Sequence, residues 1–498
     1  MTLRGDPGTA VTWRAVPACA LLAGLLGALL AACAPAPSSP NATGTGPDAE
    51  APGLQQAWVQ QSAERGWTVR AITAAAQCPT LHWAAENGTR TPGWAPLAVR
   101  AEPAVVAPRP GAAQGPPRDT VFALRSCEAA WPVGALQVQV GKFMLNAPRP
   151  ELRRIVLIGD TGCRMKQSEA AFQDCNDAQR WPFAAISRSA AATRPDLVVH
   201  LGDLHYRESP CPAGPGTLTA RPDCAGSPWG YGDDAWQADF FQPAAPLLAA
   251  APWLIVRGNH ESCGRAGVGW HRYLAAEAFS TARSCQDPAQ DAEADFTAPY
   301  AVELSADTQL IVFDSSWAAG RAYAPGDPVY RRYAAQLLRV RQLAAAKPHS
   351  LFLNHHPVLG FGPSDDGTPR PGTAGLHSVM AGVEPGRLYA DGIDLVLNGH
   401  VHLFEALGFA SGHPTTLVLG NAGSAMSGFV DEAQALRSQP APGAVLETFA
   451  SHRGFGFATL DCVASGWQLT AWSVSGQVLR LCTLQGARLR CEPAVATR

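Results

Sequence analysis

The sequence predicts a mixed α/β (α+β) protein, with a large domain over residues 151–498 following a small β-rich domain over 55–148. Three patterns carry that expectation. From residue 151, short continuous apolar runs alternate with alanine-rich segments of helical length, as expected of strands buried on both faces. Over 55–148 the apolar runs are short, alternating and broken by Pro and Gly. From Gly454 to Cys491 the chain returns to alternating strand patterns with little helix.

At 498 residues the chain can bury a large core, and 47% hydrophobic with 16% charged residues suits a folded protein. A formal net charge of -3 without charge runs gives no support for binding nucleic-acid tracts.

The first element is an export signal. Arg4 and Arg14 precede the apolar run Ala15–Leu30, which is too short and too rich in small residues for a comfortable membrane span. It ends in Leu30-Ala31-Ala32-Cys33, which resembles a bacterial lipobox. That resemblance implies that 1–33 is a lipoprotein signal and that Cys33 becomes the lipidated membrane anchor. Ala34 after it, by resemblance to enterobacterial sorting signals, favours the outer membrane facing the periplasm. The Pro- and Ser-rich stretch over 34–54 reads as a flexible tether.

Next come the runs Trp67–Ile72, Leu97–Ala101, Val121–Arg125 and Leu136–Val140, read as strands of the β-rich domain, with Pro148 and Pro150 marking the junction. Beyond it, Ile155–Ile158, Leu197–Leu201, Leu254–Val256, Leu310–Phe313, Leu351–Leu353, Leu395–Leu397 and Leu417–Leu419 are expected strands. Glu169–Ala178, Trp181–Ala192 and Tyr333–Ala346 are expected helices.

Cysteine usage agrees with export. No CxxC pair exists, which argues against a cysteine metal site. With Cys19 and Cys33 set aside, proximity suggests the bridges Cys78–Cys127, Cys163–Cys175, Cys211–Cys224, Cys263–Cys285 and Cys482–Cys491, leaving Cys462 free.

Chemistry follows the apolar runs. Five of them discharge into polar loops: Gly159-Asp160-Thr161-Gly162, Gly202-Asp203-Leu204-His205-Tyr206, Gly258-Asn259-His260-Glu261, Asn354-His355-His356-Pro357 and Gly399-His400-Val401-His402. In parallel sheets the carboxyl ends of strands share one rim, so these loops are expected to meet. Oxygen ligands mixed with imidazole favour iron, manganese or zinc over calcium. The seven candidate ligands are too many for one tetrahedral ion and suffice for two ions about 3.5–4 Å apart sharing a carboxylate.

The ordered set GDTG, GDLHY, GNHE, HHP and GHVH resembles the calcineurin-like metallophosphoesterase superfamily, and within it the purple acid phosphatases most. The resemblance covers residues 155–402. It implies a four-layer αββα sandwich and a dinuclear-metal phosphoesterase. Carried over by position, it implies that Asp160, Tyr206 and His402 hold the first metal, that Asp203 bridges, and that Asn259, His355 and His400 hold the second. His355 is preferred to His356 because the family ligand stands two residues before the Pro.

Other members of the superfamily carry a metal-binding His where this chain has Gly162, and Tyr206 can replace it. A phenolate suits trivalent iron, and two carboxylates, a phenolate and a hydroxide nearly neutralise a trivalent plus a divalent ion. Fe(III) with divalent Zn, Mn or Fe is therefore expected. The alternative is two divalent ions, with Tyr206 a loop aromatic.

His260 is expected to donate to the phosphate or leaving oxygen, and Glu261 to orient His260 or another ligand. His377 and His356 are weaker substrate-side candidates, His205 a rim residue, and His200 a core histidine. The expected reaction is hydrolysis of a small-molecule phosphate monoester by metal-activated hydroxide attacking in line. Alternatives are a phosphodiesterase acting on nucleotides or phospholipid headgroups, and a non-catalytic binding protein on the same fold. The oligomeric state is not legible.

Overall fold

The computed structural model describes residues 51–83, 93–109, 117–212, 222–426 and 428–492. Cys33, the signal and residues 34–50 of the tether lie outside them.

The continuous apolar runs are explained by two sheets stacked face to face with helices outside each. In the strand Arg154–Ile158, Ile155 and Leu157 enter the core between the sheets, whereas Val156 and Ile158 face a second core under helices. The strand His349–Leu353 does the same in the other sheet, sending Leu351 and Leu353 inward and Phe352 outward. A strand apolar on both sides has no polar alternation to display. Helices Phe183–Ala192 and Gln242–Ala250 cover the first sheet with Phe183, Ile186, Leu247 and Leu248. Helices Pro328–Ala344 and Ala374–Val383 cover the second with Tyr333, Leu337, Val340, Leu376 and Val379. Tyr333, Leu337, Val340 and Ala344 recur at helical spacing, which gives that helix its single apolar stripe. This is the expected four-layer αββα sandwich.

Among the described residues the first sheet has eleven strands and the second seven. In the first, Arg154–Ile158, Leu197–His200 and Trp253–Ile255 run parallel, with Ile158 beside His200 and His200 beside Ile255. In the second, His349–Leu353 and Ile393–Asn398 run parallel, with Leu353 beside Leu397. Their carboxyl ends therefore stop in register and deliver the polar loops to one rim.

The N-terminal β-rich segment extends this framework. Leu54–Ser62 pairs in parallel with Trp253–Ile255 and antiparallel with Gly66–Thr73, so the sheet is continuous across the Pro148–Pro150 junction. Buried Arg70 and Arg100 donate to the carbonyls of Tyr273 (2.8 Å) and Arg272 (3.1 Å), and Arg100 also pairs with Glu128 at 2.9 Å. The tail forms antiparallel hairpins from Gly456 to Cys491, as expected.

Two expectations are corrected. Glu169–Ala178 is not a helix: Gln167–Glu169 is a 3-10 turn, and Ala171–Phe172 pairs with Met165–Lys166. The Cys163–Cys175 bridge folds the segment back, and Gln173 Oε1 accepts from Arg164 N at 3.1 Å, bonds a straight helix could not make. Five of the bridges form as expected, at 78–127, 163–175, 211–224, 263–285 and 482–491. Cys462 is also disulfide-bonded rather than free.

Candidate metal centre

Each ligand loop leaves its strand through a tight turn. Asp160, Asp203 and His400 all adopt left-handed backbone conformations, with φ of 56°, 58° and 69°. Asp and His tolerate this region better than most residues, and the bend turns the side chains back over the strand ends. The loops hold one another: Asp160 N donates to Gly202 O (3.0 Å), Thr161 N to Asp203 O (3.0 Å) and Gly399 N to His355 O (3.0 Å).

The seven candidate ligands meet in two sets. Tyr206 Oη lies 2.9 Å from Asp160 Oδ1, 2.8 Å from Asp203 Oδ2 and 2.9 Å from His402 Nε2. Asn259 Oδ1 lies 3.2 Å from His355 Nε2 and 3.1 Å from His400 Nδ1. The sets are joined by Asp203, whose Oδ2 also lies 3.1 Å from His355 Nε2. Donor atoms each about 2.1 Å from one ion stand roughly 3 Å from each other, so both sets have the spacing of a coordination shell. The residues fit two ions sharing a carboxylate.

Neighbouring groups aim the donors. Asp160 Oδ2 accepts from His400 N and Asp203 Oδ1 from His260 N, both at 2.8 Å, which leaves the other carboxylate oxygens for the centre. His402 Nδ1 donates to Ala425 O and His355 Nδ1 to Leu201 O, both at 2.7 Å, so each Nε2 faces the cluster unprotonated when the ring is neutral. Positive charge is stabilised at His355 and opposed at His400. Burial pulls the His355 imidazolium down, but the adjacent Asp203 carboxylate outweighs it and raises the pKa to about 9. Burial, with His355 nearby, takes His400 down to about 3. Burial and the carboxylates of Asp160 and Asp203 hold the Tyr206 phenol well above its ordinary value, so only a strong cation could ionise it there.

Gly162 explains the absence of the usual histidine. A Cβ there would lie 2.8 Å from both Asp239 Oδ2 and the Tyr206 amide nitrogen. Asp239 accepts from Cys163 N (2.9 Å), Tyr206 N (2.7 Å) and Arg207 Nε (2.7 Å), filling the space a side chain would need.

The centre opens into a cavity of about 820 Å³ lined by Asp203, Tyr206, Asn259, His260, His356, His400 and His402, among others. His260 Nδ1 lies 2.7 Å from Glu208 Oε1, and Arg265 Nε donates to the same carboxylate oxygen at 2.8 Å. Burial and the Arg265 guanidinium bring His260 down to about 4. Burial alone would raise Glu208, but His260 and Arg265 bring it down to about 2. His356 bonds Ser315 Oγ through Nδ1 at 3.1 Å, and its ring lies 4.2 Å from that of His400. It meets neither Asn259 nor Asp203, whereas His355 meets both.

Other candidates lie elsewhere. His377 is half-buried on the helix Ala374–Val383 and does not line the cavity. His205 is buried against Tyr231 and Trp236, away from the rim, because it alternates with Tyr206. His200 is a core histidine satisfied by Thr161 Oγ1 at 3.0 Å and Gly202 N at 3.2 Å. Glu261 does not orient His260. Its carboxylate accepts from the amides of Asp203 (3.0 Å), Leu204 (2.8 Å), His205 (3.1 Å) and Gly258 (3.0 Å), clamping two ligand loops together. Glu208 and Asp239 have no sequence signal of their own, since each acts on loops far from it in the chain.

No curated protein matches the chain significantly. Among solved structures, PhoD is similar at 12% identity over 89% of this chain and 92% of its own, with a TM-score of 0.50. A purple acid phosphatase from yellow lupin (Lupinus luteus) seeds is 16% identical over 86% of this chain and 73% of its own, with a TM-score of 0.47. A dimetal phosphatase from Danio rerio is 13% identical over 64% and 96%, with a TM-score of 0.37. The sequence profile of the calcineurin-like phosphoesterases matches residues 153–404, just over half of the chain. The protein therefore belongs to the calcineurin-like phosphoesterase family, a metal-dependent phosphoric ester hydrolase whose fold implies a dinuclear centre and a small phosphate ester as substrate.

Proposed function

We propose that the chain is a phosphomonoesterase of the acid phosphatase type. Asp160, Tyr206 and His402 would hold one ion, Asn259, His355 and His400 the other, and Asp203 would bridge. The observation that carries this reading is the junction of the two donor sets at Asp203 Oδ2, 2.8 Å from Tyr206 Oη and 3.1 Å from His355 Nε2. Bound there, two ions supply Lewis acidity at the phosphoryl group and lower the pKa of water. His260, fixed by Glu208, stands at the cavity wall, where it can bond a phosphoryl or leaving-group oxygen. His356 borders the same space. Arg164, Lys166 and Arg370 make the cavity lining cationic, which suits the doubly charged monoester better than a diester. The cavity volume supports diester hydrolysis as a second reading, since it leaves room for another substituent. Assay of matched monoester and diester substrates separates the two. Monoester turnover should exceed diester turnover, and the reverse order, or no hydrolysis of either, would overturn the proposal.

We further propose Fe(III) on the Tyr206 side with divalent Zn, Mn or Fe on the other, since Tyr206 Oη sits among Asp160, Asp203 and His402. Iron-loaded protein should be coloured by a phenolate-to-iron charge-transfer band that disappears in Tyr206→Phe. Active, colourless, iron-free protein would exclude the ferric assignment and leave the phosphoesterase intact. From the sequence alone, we propose export with lipid anchoring at Cys33 to the outer membrane, checked by whether Cys33→Ala releases the protein from membranes.

A further inference from the structure

We infer that the cavity carries, beside the metal centre, a cationic subsite for a second anionic group on the leaving portion of the substrate, centred on Arg370, with Arg164 and Lys166 adding positive charge to the same lining. The inference rests on the phosphomonoesterase reading and narrows its substrate class. A cavity of about 820 Å³ can enclose a whole small molecule rather than a phosphoryl group alone. What the leaving group meets there is decided by the lining outside the metal centre. Among the described residues, that lining holds no aromatic ring beyond those of the candidate ligands and nearby histidines, so these residues offer no stacking platform for a nucleobase or aryl group. It contains prolines, including Pro363 and Pro371, small residues, three cations and one further acid, Glu169.

The cations outnumber their partners. Arg164 and Lys166 share Glu169, with Lys166 Nζ at 2.6 Å. Arg164 Nε is buried with no acceptor among the described residues. Arg370 is exposed and has no acidic partner among the described residues. Its backbone is nevertheless fixed, with Gly362 N donating to Arg370 O (2.8 Å) and Arg370 N to Gly362 O (3.1 Å), and Pro371 following. An unpaired guanidinium on a fixed backbone at a cavity wall can recognise a carboxylate or phosphate in bidentate fashion. The surplus of positive charge also raises the local concentration of multiply charged anions.

The test compares kcat/KM for glycerol 1-phosphate, whose remainder is uncharged, with 3-phosphoglycerate and fructose 1,6-bisphosphate, whose remainders carry a carboxylate and a phosphate. The wild-type protein should prefer at least one anionic ester by about tenfold, the scale of a hydrogen bond to a charged group. Which one it prefers identifies the anion. Arg370→Ala should remove most of that preference through KM, and Arg370→Lys should restore part of it. Arg339→Ala, an exposed arginine on the helix Pro328–Ala344, should leave it intact. A wild-type protein without preference, or a preference that survives both Arg370→Ala and Arg164→Ala, overturns the subsite. Failure to hydrolyse any of the three monoesters sinks the phosphomonoesterase reading instead.

Discussion

Asp203→Asn is expected to lower kcat/KM by about 10³-fold or more and to reduce the bound metal on both sides of the centre. Asp203 Oδ2 is within 2.8 Å of Tyr206 Oη and 3.1 Å of His355 Nε2, so one oxygen serves both donor sets. An amide there loses the negative charge that offsets two cations and presents either a neutral oxygen or an N–H to the centre. Single changes around a bound metal commonly cost roughly 10–100-fold, and this one acts on two ions together. The fold should tolerate it. Asn accepts the left-handed backbone at this position, whose φ is 58°, and matches Asp in shape. Asp160→Asn is the contrast. Asp160 Oδ1 meets only the Tyr206 side of the centre, at 2.9 Å, so that variant should lose metal mainly from one site. Elemental analysis beside steady-state kinetics reads both variants. Wild-type metal content in Asp203→Asn would remove Asp203 from the bridging position.

The convergence of the five loops was legible because it needs only local signals and one topological rule. Each loop follows an apolar run, and parallel register sets Ile158 beside His200 and His200 beside Ile255. Long-range side-chain partnerships were not legible. Glu208 is 57 residues from Arg265 and bears on His260 only after its loop folds against the one carrying both. Glu261 was expected to orient His260 or another ligand; it bonds the amide of Asp203 rather than His260, and with three further amides it joins two loops. His205 shows the limit of proximity in sequence. It neighbours Tyr206, but successive side chains point opposite ways, which sends it into an aromatic cluster. His377, a weaker substrate-side candidate, stands on a helix whose own periodicity sets which residues reach the cavity. Glu169–Ala178 failed because helix propensity is a weak preference beside a disulfide that closes a loop of 12 residues.

Gly258→Ala should cost about 10²-fold or more in kcat/KM although Gly258 is not a ligand candidate. The backbone there is ordinary, with φ -97° and ψ 176°, so conformational freedom is not the reason for glycine. Space is. A Cβ at 258 would overlap Asp203 Oδ1 and Asp203 N and would lie 2.9 Å from Asp203 Cγ. Those atoms cannot yield independently. Asp203 Oδ1 is held by His260 N at 2.8 Å, and Asp203 N by Glu261 Oε2 at 3.0 Å, the same oxygen that accepts from Gly258 N. Making room therefore pushes the loop carrying Asn259 away from the loop carrying Asp203, separating donors that must share the metal pair. Displacements of about 1 Å at a reacting centre cost roughly 10²-fold. Overpacking should also lower stability by about 1–3 kcal/mol, visible as a drop in Tm. Gly264→Ala provides the control in the same turn region, because a Cβ there meets nothing within 4 Å and should change neither rate nor Tm. A Gly258→Ala protein with full metal content and undiminished kcat/KM would show that the two loops need not approach this closely for the centre to work.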